Sequence, residues 1–319
     1  MNSLIKKAFT LIELLVVIAI IGILSGLIIV GMNGMTQKAT IAKAKVFSNS
    51  LRNSLMMNTV GEWKFDGATS ERPAVNADVV DSWGGVNNGT IPASPSIPTI
   101  KTESNCVSGS CLSFDGINDY VDFGNRESLN TTSSSFSISA WVNFSDLNLY
   151  GTDASKIQGI VLKAAVAAGS YASSSFYLYF DPRSANNRLG FTVVKDSTTA
   201  TTNQIYSFNT LISVNTWHQI TASYDANYMK IYLDGVLTSI PTELPSYPMQ
   251  QVNSSFKIGG GDTERFFTGS IDDVRMYKAA VPTSQIQEQY YAGLNKLLAN
   301  GGITKEEYIE RSSVLASGN

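Results

Sequence analysis

The residues of this chain that could do chemistry are few and unevenly placed. Glu13 stands inside an apolar run from Phe9 to Met32 that holds no other charged residue. A carboxylate in a stretch long enough to cross a bilayer is costly and is kept where it has a task. Cys106 and Cys111 flank Val-Ser-Gly-Ser, a short loop that can close. In an exported chain a disulfide is the leading reading, with a pair of free thiols as the other. Two cysteines without further ligands at matching spacing do not make a zinc site. The single histidine, His218, lies beside Trp217 in a strand-like stretch and reads as structural. There is no Gly-x-Ser-x-Gly elbow to expose a nucleophile. No Glu-x-Asp-x-x-Glu strand aims paired carboxylates into a cleft. Gly259-Gly260-Gly261 lacks the lysine and helix of a phosphate loop. Catalysis is therefore not expected. Binding has more to work with: Tyr171, Tyr177, Tyr179, Tyr206, Tyr228, Tyr232 and Tyr247 can stack on sugar rings, or can be half-buried strand residues.

The elements that must carry these groups follow from composition and period. The chain has 319 residues, 43% hydrophobic and only 15% charged, which suits an exported β-rich protein. The net charge of −3 gives no electrostatic case for nucleic acid. No acid occurs between Glu13 and Glu62, while Lys38, Lys43, Lys45 and Arg52 are basic, so a boundary is expected near residue 60. Ile41, Ala44, Phe47, Leu51 and Leu55 form one apolar stripe, which extends the N-terminal helix to about residue 58. Beyond Gly61 the period changes to two. Phe136, Ile138, Ala140, Val142 and Phe144 alternate with Ser137, Ser139, Trp141 and Asn143. Met229, Ile231 and Leu233 do the same, and Asp234-Gly235 follows as a turn. Many short strands separated by Gly, Asn, Asp and Ser predict an antiparallel β-sandwich. Ser284 with Gln287, and Thr304 with Glu307, read as capping boxes opening two short C-terminal helices.

The opening, Lys6-Lys7-Ala8-Phe9-Thr10-Leu11-Ile12-Glu13-Leu14, resembles the N-terminus of type IV prepilins. That resemblance implies a leader of residues 1–8, cut by a prepilin peptidase between Ala8 and Phe9, and a methylated Phe9 amine. It also implies that Glu13 pairs with the Phe9 amine of a neighbouring subunit. An unpaired charge in the apolar filament core would cost several kcal/mol, so the pair sets axial register. Ala8 departs from the usual Gly before the cut. Without the resemblance, the span would read as a simple single-pass anchor, which leaves Glu13 unexplained.

Further on, Leu112-Ser113-Phe114-Asp115-Gly116-Ile117-Asn118-Asp119-Tyr120-Val121, then Asn215-Thr216-Trp217-His218, Ile231-Tyr232-Leu233-Asp234-Gly235 and Gly269-Ser270-Ile271-Asp272-Asp273-Val274-Arg275 occur in order. They resemble the laminin-G-like branch of the concanavalin A-like jelly rolls. The resemblance implies that the first strand pairs near the last, and that Asp66, Asp81 and Asp272 hold a structural calcium with loop carbonyls.

The expected fold is thus a long N-terminal α-helix for membrane and filament core, followed by a mainly β domain. That domain is an antiparallel two-sheet jelly-roll sandwich with short C-terminal helices. The expected division is 1–8 leader, 9–58 helix with the apolar span 9–32, 61–292 jelly roll and 293–319 helical tail. The expected function is a structural subunit of a pilus-like filament that displays a lectin-like domain for attachment. Its expected partners are identical or related pilin subunits, the peptidase, the inner membrane before assembly and a carbohydrate. Two other readings are a minor pilin or pseudopilin of a secretion or DNA-uptake system, and a membrane-anchored glycan-processing enzyme.

Overall fold

Strict alternation along the strands builds two antiparallel sheets, because period two gives each strand one apolar face to bury. In the computed structural model, residues 11–12, 14–21, 58–130, 135–147, 157–164, 174–182, 188–196, 201–207, 212–225, 227–243, 249–250, 252–261 and 265–317 are described. The chain divides into two units, Met1–Ser54 and Leu55–Asn319. In the first unit, residues 11–12 and 14–21 are helical, and their apolar side chains face outward, with Leu11 80% and Ile12 71% exposed. Among the described residues no helix is long and apolar enough to cross a membrane. The expectations on Ala8, Phe9 and Glu13, and on the helix over residues 22–57, lie outside the described residues.

The second unit holds both sheets. The larger runs in the order Val236–Leu237, Tyr228–Leu233, Trp217–Asp225, Ser135–Phe144, Thr268–Tyr277, Ser110–Asp115, Thr99–Thr102 and Arg72–Pro73. Thr59–Trp63 also pairs with Thr268–Tyr277, so the first strand of the domain does meet the last long one. The smaller sheet runs Thr201–Tyr206, Arg188–Asp196, Ser174–Asp181, Gln158–Ala164, Phe256–Ile258 and Val121–Asp122. Between the sheets lies the main core. Phe136, Ile138, Ala140, Val142 and Phe144 enter it from one side, and Phe176, Leu178, Phe180, Phe191 and Phe256 from the other. Asp234 and Gly235 both have positive φ, 53° and 78°, the geometry a two-residue hairpin turn requires, and Leu233 pairs with Val236 across it.

The outer face of the larger sheet is buried as well. Helix α1 (Thr283–Ala299) and helix α2 (Lys305–Ser317) cover it, and Trp141 packs with Trp217, Tyr290, Leu294, Leu297 and Leu315 in a second apolar cluster. Gly293 allows α1 to sit directly on the indole: a Cβ there would lie 2.1 Å from Trp141 Cζ2. The Trp141 and Tyr290 rings stack at 5.6 Å with planes 12° apart. Trp141, in the outward half of the Ser135–Phe144 alternation, therefore faces a helix. Thr304 caps α2 through Glu307 N at 3.1 Å, as its sequence predicts. The expected box at Ser284 and Gln287 is not made: α1 begins two residues earlier, at Thr283 after Pro282, without a side-chain cap. Pro282 has no polar side-chain atom and meets α1 only through its carbonyl, which accepts the N–H groups of Gln285 (3.0 Å) and Ile286 (3.1 Å).

Candidate functional site

The expected calcium ligands fall into two groups. Asp272, fully buried on the Thr268–Tyr277 strand, accepts the N–H groups of Val107 (2.9 Å), Ser108 (3.2 Å) and Asp273 (2.7 Å). Burial, then the neighbouring charges of Asp273 and Asp66, pushes the Asp272 carboxyl well above the usual carboxylate range. Asp66 shares this end of the sandwich. It accepts Ser110 N–H at 3.2 Å, and burial and Asp273 raise it too. Burial also works against the charge of Asp273, but Arg275 and Lys296 outweigh it and hold that carboxyl low. The Lys296 ammonium is 2.7 Å from Asp273 and ties α1 to the sheet. Asp81 has a different role: it accepts Glu62, Trp83 and Asn87 N–H groups at 3.1, 3.0 and 3.2 Å and organises the loop that follows it. The structure thus brings Asp66 and Asp272 together and leaves Asp81 with its own loop. Among the described residues no group of three or more His, Cys, Asp or Glu is arranged to hold a metal ion.

Cys106 and Cys111 form a disulfide, with Cα atoms 5.5 Å apart. Its loop anchors the helical cap. Asn300 Nδ2 donates to the carbonyls of Cys106 (2.9 Å) and Val107 (3.2 Å), and Trp217 Nε1 donates to Asn105 O at 3.2 Å.

His218 pairs through Nδ1 with Asp234 Oδ2 at 2.7 Å, the arrangement of a catalytic dyad. Its other nitrogen, however, accepts the Ser213 N–H at 3.3 Å. The imidazole thus offers no base nitrogen to a hydroxyl, and its bonds hold the Trp217 strand to the following turn.

Tyr177, Tyr179 and Tyr206 gather on the outer face of the smaller sheet, where Tyr177 and Tyr179 are buried. The Tyr179 hydroxyl is bonded to Gln204, and the Arg188 guanidinium lies 3.3 Å from the centre of the Tyr206 ring. Tyr232 is buried against α1, with its hydroxyl 3.0 Å from Thr283. Tyr228 is exposed, and Tyr171 and Tyr247 lie outside the described residues. Most of the described tyrosines in this set are therefore packing residues rather than open platforms.

An open cleft of about 400 Å³ lies elsewhere, at the edge of the smaller sheet, lined by Thr90, Pro92, Tyr120, Asp122, Phe123, Gly124 and Arg126. Alternation builds it. Val121 and Phe123 turn into the core, Phe123 packing on Trp63 at 4.7 Å, so Asp122 between them turns outward. Asp122 Oδ1 accepts Gly124 N–H at 2.7 Å, and Thr90 bridges to the Asp122 backbone. Arg126 forms a clamp: Nε, Nη1 and Nη2 donate to the carbonyls of Phe123 (2.9 Å), Val86 (3.1 Å) and Asn88 (3.0 Å). The guanidinium therefore fixes the Asp81–Thr90 loop against the cleft. Asp119, just before Tyr120, accepts Asp115 N–H at 3.0 Å. Burial, with the charge of Asp115 adding, pushes its carboxyl up to about 6. Sequence reasoning did not single out Tyr120, Asp122 or Arg126. The outward turn of Asp122 could have been read from the Val121–Phe123 alternation, whereas the clamp could not.

Residues 115–287 match the family described as the concanavalin A-like lectin/glucanases superfamily, and residues 5–29 match the prokaryotic N-terminal methylation motif. No curated protein matches the chain. Among solved structures the chain is similar to domain 4 of AbnA, a GH43 extracellular arabinanase from Geobacillus stearothermophilus, in complex with arabinotriose. That likeness has 19% identity and TM-score 0.51, over 72% of this chain and 97% of that one. It is also similar to the binding domain of Paraclostridial mosquitocidal protein 1 (16%, TM-score 0.55, 76% and 53%). A third likeness is to the ligand-binding domain of botulinum neurotoxin serotype D in complex with N-acetylneuraminic acid (11%, TM-score 0.53, 76% and 52%). The chain spans about half the length of the two toxin domains. At these identities the likeness is one of fold.

Proposed function

The chain belongs to the concanavalin A-like lectin/glucanases superfamily, and from that membership we propose that it is a pilin-like subunit displaying a carbohydrate-binding sandwich outside the cell. The observation that carries the proposal is the joining, in one chain, of an N-terminal methylation motif to this domain. The exposed apolar side chains of residues 11–12 and 14–21 support it, since they require lipid or neighbouring subunits for cover. The subunit is held in the inner membrane by its N-terminal helix, processed before Phe9, and assembled with related subunits through Glu13. The ligand site is the rim cleft around Tyr120 and Asp122. We infer binding without turnover, which the commitment of His218 Nε2 to Ser213 supports.

A glycan array that includes arabinotriose and N-acetylneuraminic acid, probed with the 55–319 unit, tests the binding half. Binding that Tyr120→Ala abolishes supports the proposal, and an array with no bound glycan refutes it. N-terminal mass spectrometry tests the other half. A mature chain beginning at methylated Phe9 is expected, and retention of residues 1–8 would refute processing. A structural calcium at Asp66 and Asp272 is a separate proposal, supported by the approach of those two carboxylates. A calcium-dependent rise in melting temperature that Asp66→Ala removes supports it; identical melts in calcium and in chelator exclude it.

A further inference from the structure

We infer that the rim cleft selects neutral, hydroxyl-rich sugars, and that the Asp81–Thr90 loop extends it into a site for a chain of two or more sugar residues. The inference rests on the carbohydrate reading above and adds to it the ligand class and the footprint. Charge decides the class. The cleft wall carries one carboxylate, Asp122, whose Oδ1 is engaged by Gly124 N–H. Its Oδ2 has no hydrogen-bond donor among the described residues, so it is available to accept sugar hydroxyls. An ionised acceptor makes the stronger kind of hydrogen bond to a neutral hydroxyl and repels a carboxylated sugar. Two cations lie nearby, and neither is offered to a ligand's carboxylate. Arg126 directs all three of its nitrogens to backbone carbonyls. Lys257, the cross-strand partner of Asp122, is 2% exposed, does not line the cleft, and lies 5.5 Å from the centre of the Tyr120 ring. Tyr120 supplies the aromatic surface on which the C–H face of a sugar packs.

The footprint follows from the loop. Val86 is 63% exposed on a segment whose backbone is fixed from both sides. Asp81 takes three N–H groups within it and from Glu62, Asn88 Oδ1 accepts Asp81 N–H at 2.9 Å, and Arg126 holds the Val86 and Asn88 carbonyls. One side chain, Arg126, is thus both cleft wall and loop anchor, which places Val86 beside the cleft. A preordered apolar side chain at that position contacts the next sugar residue without an ordering cost.

The test uses the detergent-solubilised full chain and an array of neutral and acidic oligosaccharides of one to six residues. Neutral sugars are expected to bind. Asp122→Asn should weaken every neutral ligand by about tenfold, equivalent to about 1.4 kcal/mol. Val86→Asp, at an exposed position that leaves the fold intact, should weaken only ligands of two or more residues. Preference for acidic sugars would overturn the inference. So would binding that neither variant alters, and in that case the carbohydrate reading would stand with its site elsewhere. Absence of binding to any sugar would overturn both.

Discussion

Gly293→Ala is the substitution for which propensity and packing give opposite signs. In an exposed helix interior, replacing Gly by Ala stabilises by about 1 kcal/mol. Here the new Cβ would lie 2.1 Å from Trp141 Cζ2, 2.5 Å from Cε2 and 2.8 Å from Nε1. Trp141 is fully buried and stacked on Tyr290, so the indole cannot withdraw without disturbing both α1 and the sheet. Overpacking of this kind costs about 1–3 kcal/mol. Disturbing the ring pair removes about 0.5–1.5 kcal/mol more. Against the propensity gain, the net expectation is destabilisation of about 0.5–3.5 kcal/mol. For a domain of this size that is a fall in melting temperature of about 2–10 °C. Urea unfolding of the 55–319 unit, followed by tryptophan fluorescence, measures it. Trp141→Phe removes the clashing atoms, so the double variant should recover part of the loss, with a coupling above about 0.5 kcal/mol. A Gly293→Ala variant more stable than wild type, or strictly additive with Trp141→Phe, would show that α1 is not seated on the indole.

Replacing Cys106 and Cys111 together by Ala should cost about 2 kcal/mol for so short a loop. It should also raise hydrogen exchange in α1, because Asn300 grips that loop; an unchanged melt and exchange pattern would contradict this. Asp272 has its carboxyl pKa raised in the fold, so its contribution to stability is complete below about pH 4 and is lost as pH rises through the folded value. The unfolding free energy of wild type relative to Asp272→Asn should therefore fall as pH rises above about 4, and a flat difference would refute the assignment. Arg126→Ala removes three carbonyl bonds at once and should make the Asp81–Thr90 loop the first site of limited proteolysis. Protection equal to wild type would show that the loop holds itself.

Sequence alone determined what depends on local period and local chemistry. The strands at 136–144, 217–224, 228–233 and 271–277 were legible because alternation sorts side chains before any partner strand is known. The Asp234-Gly235 turn and the Thr304 cap were legible because each closes within a few residues. The N-terminal methylation motif was legible because a lone acid in an apolar run has few explanations. Tertiary structure alone decided which buried faces are double. Ser137, Ser139 and Trp141 alternate as a solvent-facing row would, yet α1 covers Trp141, and Ser137 donates to Ala279 O, 142 residues away. It also turned several candidate sugar platforms, Tyr177, Tyr179 and Tyr232, into packing, and separated Asp81 from Asp66 and Asp272. The cleft could not be read from the sequence for the same reason. Arg126 reaches carbonyls 38 and 40 residues earlier, and backbone carbonyls carry no residue-specific signal. The chain fixes which residues can face outward; only the closed sandwich fixes which of them face one another.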